Sequence, residues 1–144
     1  MSAYLLTWNP RVFAWSDLRQ DIAKLRRGRK LVTDWSCARS KRIREGDRLW
    51  LLRQGVEPRG IVARGRAVSD WYEGPGWRRP GVPCHYVDWE IEVLLDAERE
   101  PILPRELLST LGRMNWDTMV SGITIPPDVA RRLERAFAQL AGTR

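Results

Sequence analysis

Residues 31–55 read LVTDWSCARSKRIREGDRLWLLRQG, and the fold turns on how this stretch divides. Its first part, KLVTDWS, and its last, DRLWLLR, are rich in β-branched, aliphatic and aromatic residues, which predicts two short strands. Gln54-Gly55 closes the second. Between them lies a cationic segment, Arg39, Lys41, Arg42 and Arg44. Trp35 sits between Asp34 and Ser36. An indole in a polar setting beside guanidiniums is either an awkward core residue or a plate onto which something flat is stacked.

Working outward, AYLLTW (3–8) reads as an opening buried strand stopped by Asn9-Pro10. Ser16 looks like a helix N-cap. Leu18, Ile22 and Leu25 then fall on one helical face, and Gly28 ends the helix. Downstream, RGIVARGRAVSD (59–70) is a longer strand. Residues 70–83, with three Gly and three Pro around two Trp and one Tyr, form one loop. In HYVDWEIEVLL, Val87, Trp89, Ile91 and Val93 alternate with polar residues, the period-2 pattern of a half-buried strand. LPRELLSTL is a short helix with proline at its start, SGITIPP a brief strand, and residues 127–140 an amphipathic helix carrying Val129, Leu133, Phe137 and Leu140. The expected architecture is α+β: five to six strands in one curled antiparallel or mixed sheet, one helix inserted early and two late, all in a single domain over residues 1–144.

The 144 residues carry 43% apolar and 30% charged side chains, the balance of an ordinary globular domain. The start of the chain has neither the charged nor the long apolar segment of a secretory signal, and no apolar run approaches the roughly 20 residues that span a bilayer. A cytoplasmic protein without a membrane partner is expected. Charge is unevenly placed. Residues 1–66 hold 16 Lys and Arg against 6 Asp and Glu, a net +10, whereas residues 67–144 hold 9 against 12, a net −3. A one-sided basic surface attracts polyanions by releasing their counterions, so nucleic acid is the expected partner.

Catalytic patterns are missing. A single histidine, His85, excludes a two-histidine nuclease site, and Cys37 and Cys84 have no zinc-ligand spacing. No GxSxG, P-loop or GxGxxG occurs. A Cys37–His85 pair is the one enzymatic alternative. No cofactor is expected. The two cysteines read as small buried thiols.

Eight tryptophans are unusual in a chain of this length. Trp50 and Trp89 stand on apolar strand faces and belong to the core. Trp15 staples the first helix. Trp8, Trp35, Trp71, Trp77 and Trp116 are flanked instead by Asn9, Ser36, Tyr72, Gly76 and Asn115, a setting that suits a pocket which sandwiches a planar ring and reads its edge. For each of them singly, a core position is the alternative.

The ordered series YLLTWNP, DWSCARS, REGDRLWLLRQG, RGIVARGRAVSDWYE, YVDWEIEVLLD, PILPRELL and NWDTMVSGITIPPDVARRLE resembles the EVE domain family, a PUA-like branch related to YTH modified-adenine readers. The resemblance implies a PUA-like β-barrel with helices at its edge and an aromatic cage for a modified base extruded from nucleic acid. EVE domains resemble the recognition half of modification-dependent restriction enzymes in which an HNH nuclease follows. A free-standing reader or a separately encoded recognition module with a nuclease partner is therefore expected. Carried over by position, Trp35 is a cage wall and Ser36 its polar neighbour. Trp77 is the second wall, ahead of Trp71 and Tyr72, and Asn9, beside Trp8, contacts the base edge. Asn115 and Trp116 complete the candidate base site. Arg39, Lys41, Arg42 and Arg44 grip the phosphate backbone, while Arg53 and Gln54 intrude into the duplex or simply form a turn. The leading expectation is a reader of 5-methyl- or 5-hydroxymethylcytosine in double-stranded DNA. The alternatives are a reader of a modified RNA base, a protein-interaction module that buries its exposed tryptophans, and the enzyme.

Overall fold

The computed structural model describes residues 1–142. The apolar run at the start of the chain becomes β1 (Ala3–Trp8), with Leu5 and Leu6 wholly buried. It does not pair with the next strand in sequence. The chain first builds α1 (Leu18–Arg26) and β2 (Leu31–Ala38) and only then returns as β3 (Arg48–Arg53), parallel to β1 with Leu5 opposite Trp50. A parallel pair requires a long crossover, and α1 with β2 supplies it. Asp17, not Ser16, occupies the cap of α1, and no side chain caps it.

β4 (Gly60–Ala67) runs antiparallel to β3, and β6 (Pro83–Leu94) to β4. The segment 70–83 is more than a loop: Tyr72–Pro75 form β5, which pairs with the start of β6. β7 (Leu103–Pro104) adds to β4, α2 (Arg105–Leu108) follows it, β8 (Ile123–Ile125) adds to β1, and α3 (Pro127–Gly142) ends the described chain. The sheet is mixed, with eight strands among the described residues and a main order β2-β6-β4-β3-β1-β8. Five to six strands were expected, the brief strand at SGITIPP (β8) among them; β5 and β7, of four and two residues, enlarge the count. The arrangement is α+β, and among the described residues no ladder joins the ends of the sheet, so it is not a closed barrel.

The register sorts the faces. Val87, Trp89 and Ile91 of β6 are buried and stand opposite Trp35, Thr33 and Leu31 of β2, so these six share the inner face. The alternation then breaks. Gly65 pairs with Ile91 but Arg64 with Val93, so Glu92 is an extra residue and the inward position passes from Val93 to Leu94, which is 2% exposed. Trp50 and Trp89 are fully buried, as expected of core residues, and α3 seals the core with Val129, Leu133 and Phe137. Leu140 is only partly buried against it. Burial of each large ring contributes about 2–3 kcal/mol of hydrophobic stabilisation. No helix of the described residues is long and apolar enough to cross a membrane.

Candidate functional site

The open side of the sheet, between β1 and β2, is where the aromatic residues gather. Trp35 points into this gap, and its indole Nε1–H donates to the Thr7 carbonyl of β1 at 3.0 Å. One side chain thus bridges two strands that no backbone ladder joins. Phe13 packs edge-on against Trp35 with ring centroids 5.6 Å apart, and Trp15 lies tilted against it at 5.4 Å. Trp15 in turn meets the edge of Trp8 at 5.5 Å and donates from Nε1 to Asp21 Oδ2 of α1 at 2.8 Å. Trp8 is 7% exposed and donates to the Phe13 carbonyl.

Asn9 builds the turn that brings Phe13 back over the gap. Its side-chain Oδ1 accepts from Arg11 N–H, and its carbonyl accepts from Val12 and Phe13. The Asn9 side chain lies over Gly55, where a Cβ would stand 2.5 Å from it. On the far side of the gap Ser121 Oγ accepts from Thr7 N–H at 2.9 Å. Gly122, at φ +83°, is so close that a Cβ would meet the Cys37 carbonyl at 2.5 Å and Ser40 Cβ at 2.8 Å. Thr7, Phe13, Ser121 and Gly122 are gap-lining residues that composition could not single out. Thr7, Ser121 and Gly122, being small or polar, look like ordinary strand ends and turns.

β2 ends in a bulge between Ser36 and Ala38, and Ala38 takes φ 57°. A left-handed non-glycine residue is a costly way to turn a chain, and here it launches the cationic segment. The backbone of that segment is firmly tied. Ser40 N–H donates to Cys37 O, His85 Nδ1 donates to Ser40 O at 3.0 Å, and Trp71 N–H donates to Ile43 O. The Tyr4 hydroxyl reaches Arg42 O, Arg44 N–H donates to Asp47 Oδ2 at 2.8 Å, and Glu45 N–H to Asp70 Oδ1. The side chains have the opposite character. Arg39, Lys41, Arg42 and Arg44 are exposed, and among the described residues none is held in an ion pair. On the sheet, by contrast, carboxylates meet several cations: Arg48 and Arg64 share Glu92 and Glu134, and Arg66 meets Glu90 at 2.9 Å.

The remaining site expectations separate. Ser36 follows Trp35 in the strand and therefore faces the other way. Its Oγ lies 3.1 Å from Cys84 Sγ on the outer face, and it cannot offer its hydroxyl to a ring lying against Trp35. Trp77 is 49% exposed at the tip between β5 and β6, with only the Arg78 guanidinium over it, 5.7 Å from the ring centroid. The ring neighbours of Trp35 are Phe13 and Trp15, so Trp35 and Trp77 are not two walls of one cage. Trp71 lies tilted against His85 at 4.6 Å and anchors the cationic segment from behind. Tyr72 stacks on Tyr86 at 6.1 Å and donates to Asp88 Oδ1 at 2.5 Å. Burial first, and then this bond, push its phenol above the usual range.

Trp116 is 2% exposed and part of the core, while Asn115 beside it is exposed and caps a turn by accepting from Asp117 N–H at 3.1 Å. Arg53 and Gln54 are buried as well, at 4% and 1% exposure. Arg53 donates to the Pro58 carbonyl under the Trp8 ring. Gln54 donates from Nε2 to the carbonyls of Trp116 and Thr118 at 2.7 and 3.0 Å. Both side chains are thus turned into the protein, with Arg53 also within 3.8 Å of the exposed Glu98. Cys37 is fully buried, which with the nearby Cys84 pushes its thiol up to about 12 and leaves no thiolate at neutral pH. Cys84 is only partly buried, and both thiols are free. No group of three or more His, Cys, Asp and Glu is placed to hold a metal ion among the described residues.

No protein-family model matches the chain, and no curated protein does. Solved structures do. A protein from Leishmania major is 13% identical, covers 96% of both chains and superposes with a TM-score of 0.66. A protein from Pseudomonas syringae is 14% identical over 94% of this chain and 99% of its own, with a TM-score of 0.62. At these identities the likeness establishes the fold. Human THYN1 in complex with 5-methylcytosine-containing DNA is 14% identical over 76% of this chain and 74% of its own, with a TM-score of 0.47.

Proposed function

We propose that this chain is a non-catalytic reader of modified nucleic acid, holding a modified base at the β1–β2 gap while the segment 39–44 grips the phosphate backbone beside it. The observation that carries the reading is the contrast within that segment. Its backbone is tied at Ser40, Arg42, Ile43, Arg44 and Glu45, yet its four cations are left without carboxylate partners. Unneutralised cations on a tied backbone next to an aromatic cluster suit a polyanion that carries flat rings. Phosphate contacts supply affinity without sequence information, and the ring-lined gap supplies selection. The resemblance of the sequence to EVE domains supports the same reading. It also favours 5-methyl- or 5-hydroxymethylcytosine in double-stranded DNA over a modified RNA base.

In this arrangement the base leaves its stack, at a cost of a few kcal/mol that ring contacts offset. It enters beside Trp35 and Phe13, where the Thr7 and Ser121 groups are the polar neighbours of the ring edge. A nuclease acting on the recognised site would be a separate partner or domain. Burial of Cys37, which favours its protonated thiol, weighs against the enzymatic alternative.

The test is a fluorescence-anisotropy titration of matched duplexes carrying cytosine, 5-methylcytosine, 5-hydroxymethylcytosine or N6-methyladenine, together with an RNA duplex, at two salt concentrations. Tightening on one modified duplex is the expected outcome. Equal, strongly salt-dependent binding to all would leave a polyanion surface and remove the reader. Arg42→Ala should weaken every duplex alike and reduce the salt slope by about one.

A further inference from the structure

The stretch between α2 and β8 carries an exposed apolar pair with no part in the site as described. Met119 is 55% and Val120 52% exposed, side by side. Such side chains on a slack loop would fold back onto the surface, but this loop is clamped on both flanks. Before the pair, Trp116 and Thr118 are buried, and the Gln54 amide holds both of their carbonyls. Val120 N–H donates to Thr118 Oγ1 at 3.1 Å. After the pair, Ser121 Oγ accepts from Thr7 N–H, and Gly122 N–H donates to Leu5 O at 2.8 Å.

The position of the tip is as specific as its rigidity. The Met119 carbonyl accepts from Thr7 Oγ1 at 3.2 Å, and the Thr7 carbonyl accepts from Trp35 Nε1. On its other side, Gly122 lies against Cys37 and Ser40, the root of the cationic segment. The apolar pair therefore stands between the ring-lined gap and the unpaired Arg39, Lys41 and Arg42.

We infer that Met119 and Val120 form a wedge that enters the base stack of a duplex next to the base being read, with Gln54 as the positioning residue that sets the height of the loop. The inference rests on the nucleic-acid reading above and names the occupant of this surface as a base-paired duplex. Charge complementarity selects it. An apolar tip flanked by cations fits between two phosphate strands, and unstacking a base step gives the side chains an apolar slot. An apolar protein surface would gain nothing from the neighbouring guanidiniums. Arg53 and Gln54, by contrast, cannot enter a duplex, because they lie inside the protein; Gln54 acts from beneath.

The experiment uses the full chain, a duplex with 2-aminopurine beside the modified base, and the same modified strand alone. With the parent protein, 2-aminopurine fluorescence should rise on binding the duplex. In the doubly substituted Met119→Ser, Val120→Ser protein, both sites being exposed, that rise should vanish and duplex affinity should fall about tenfold. Affinity for the single strand should be unchanged, because no stack has to be opened. Gln54→Ala should show the same duplex-only loss, whereas general loosening of the fold would weaken both ligands. A doubly substituted protein that binds and unstacks the duplex like the parent overturns the wedge. So does a parent protein that binds the duplex without a fluorescence rise, an outcome that leaves the nucleic-acid reading intact. A parent protein that binds neither ligand overturns both.

Discussion

Trp35 and Trp77 were candidates for the same task, and the fold treats them in opposite ways. Trp35 is held on three sides: Phe13 and Trp15 pack against its ring, and its N–H is committed to Thr7. Trp77 stands 49% exposed on a hairpin tip with one guanidinium for company. The difference shows that an indole beside polar residues in the sequence can be either a strut or a platform. Trp35 is an ordered surface whose remaining contact area is fixed in advance, so a ring that meets it loses little entropy in the protein. Trp77 has open ring area, with Arg78 beside it as a partner with which it can enclose a base. A stack on the tip would thus be tolerant of base identity, whereas the gap, with polar groups at fixed places, can discriminate.

Removing the strut is the harshest way to break this comparison. Trp35→Ala should lower the unfolding free energy by about 3 kcal/mol, since it deletes a large packed ring and a side chain that ties β2 to the β1 backbone. Trp35→Phe keeps most of the packing and should cost about 1 kcal/mol, the value of the lost hydrogen bond. Urea unfolding measures both. An alanine variant as stable as the parent would mean that the ring supports nothing, and the two tryptophans would then differ only in exposure.

Trp77→Ala sharpens the other side. Its stability should stay within about 0.5 kcal/mol of the parent, as for other exposed sites without partners. Its affinity for nucleic acid should fall by about 1–3 kcal/mol if a base stacks there. Modified and plain duplexes should lose affinity equally, because a free ring face does not tell them apart. An unequal loss, read by anisotropy, would move the discriminating site from the gap to the tip.

The sequence carried the fold further than it carried the site, and particular residues show why. Alternation in β6 exposed Val87, Trp89 and Ile91 as an inner face because period-2 burial leaves a direct trace. The bulge at Glu92 leaves none, so Val93 was expected where Leu94 lies. β5 was hidden because its partner residues, not its own Gly and Pro, decide that it pairs. In the candidate site, the cationic segment was plain from its composition. Trp116 was not legible as core, since its flanks Asn115 and Asp117 are polar and only the loop path turns the ring inward. Gln54 was misleading for a similar reason. A polar side chain at the end of a strand looks like a surface residue until the two carbonyls it serves are known.

The smallest effect tests how the strut and the cationic segment are joined. Ala38 follows the β2 bulge at φ 57°, a conformation in which an L side chain crowds its own carbonyl while glycine does not. Ala38→Gly should relieve this, and the added chain entropy of the unfolded state should offset part of the gain. A net stabilisation of about 1 kcal/mol or less is expected in urea unfolding. The bonds that fix this corner involve Ser36 Oγ on the Ala38 N–H and the Ala38 carbonyl near Cys84, none of which needs the methyl group. The direction of Arg39 should therefore be unchanged, and so should nucleic-acid affinity. If affinity falls while stability rises, the strained turn is itself part of how the cations are aimed, and the segment has to be regarded as a device under tension rather than a tied surface loop.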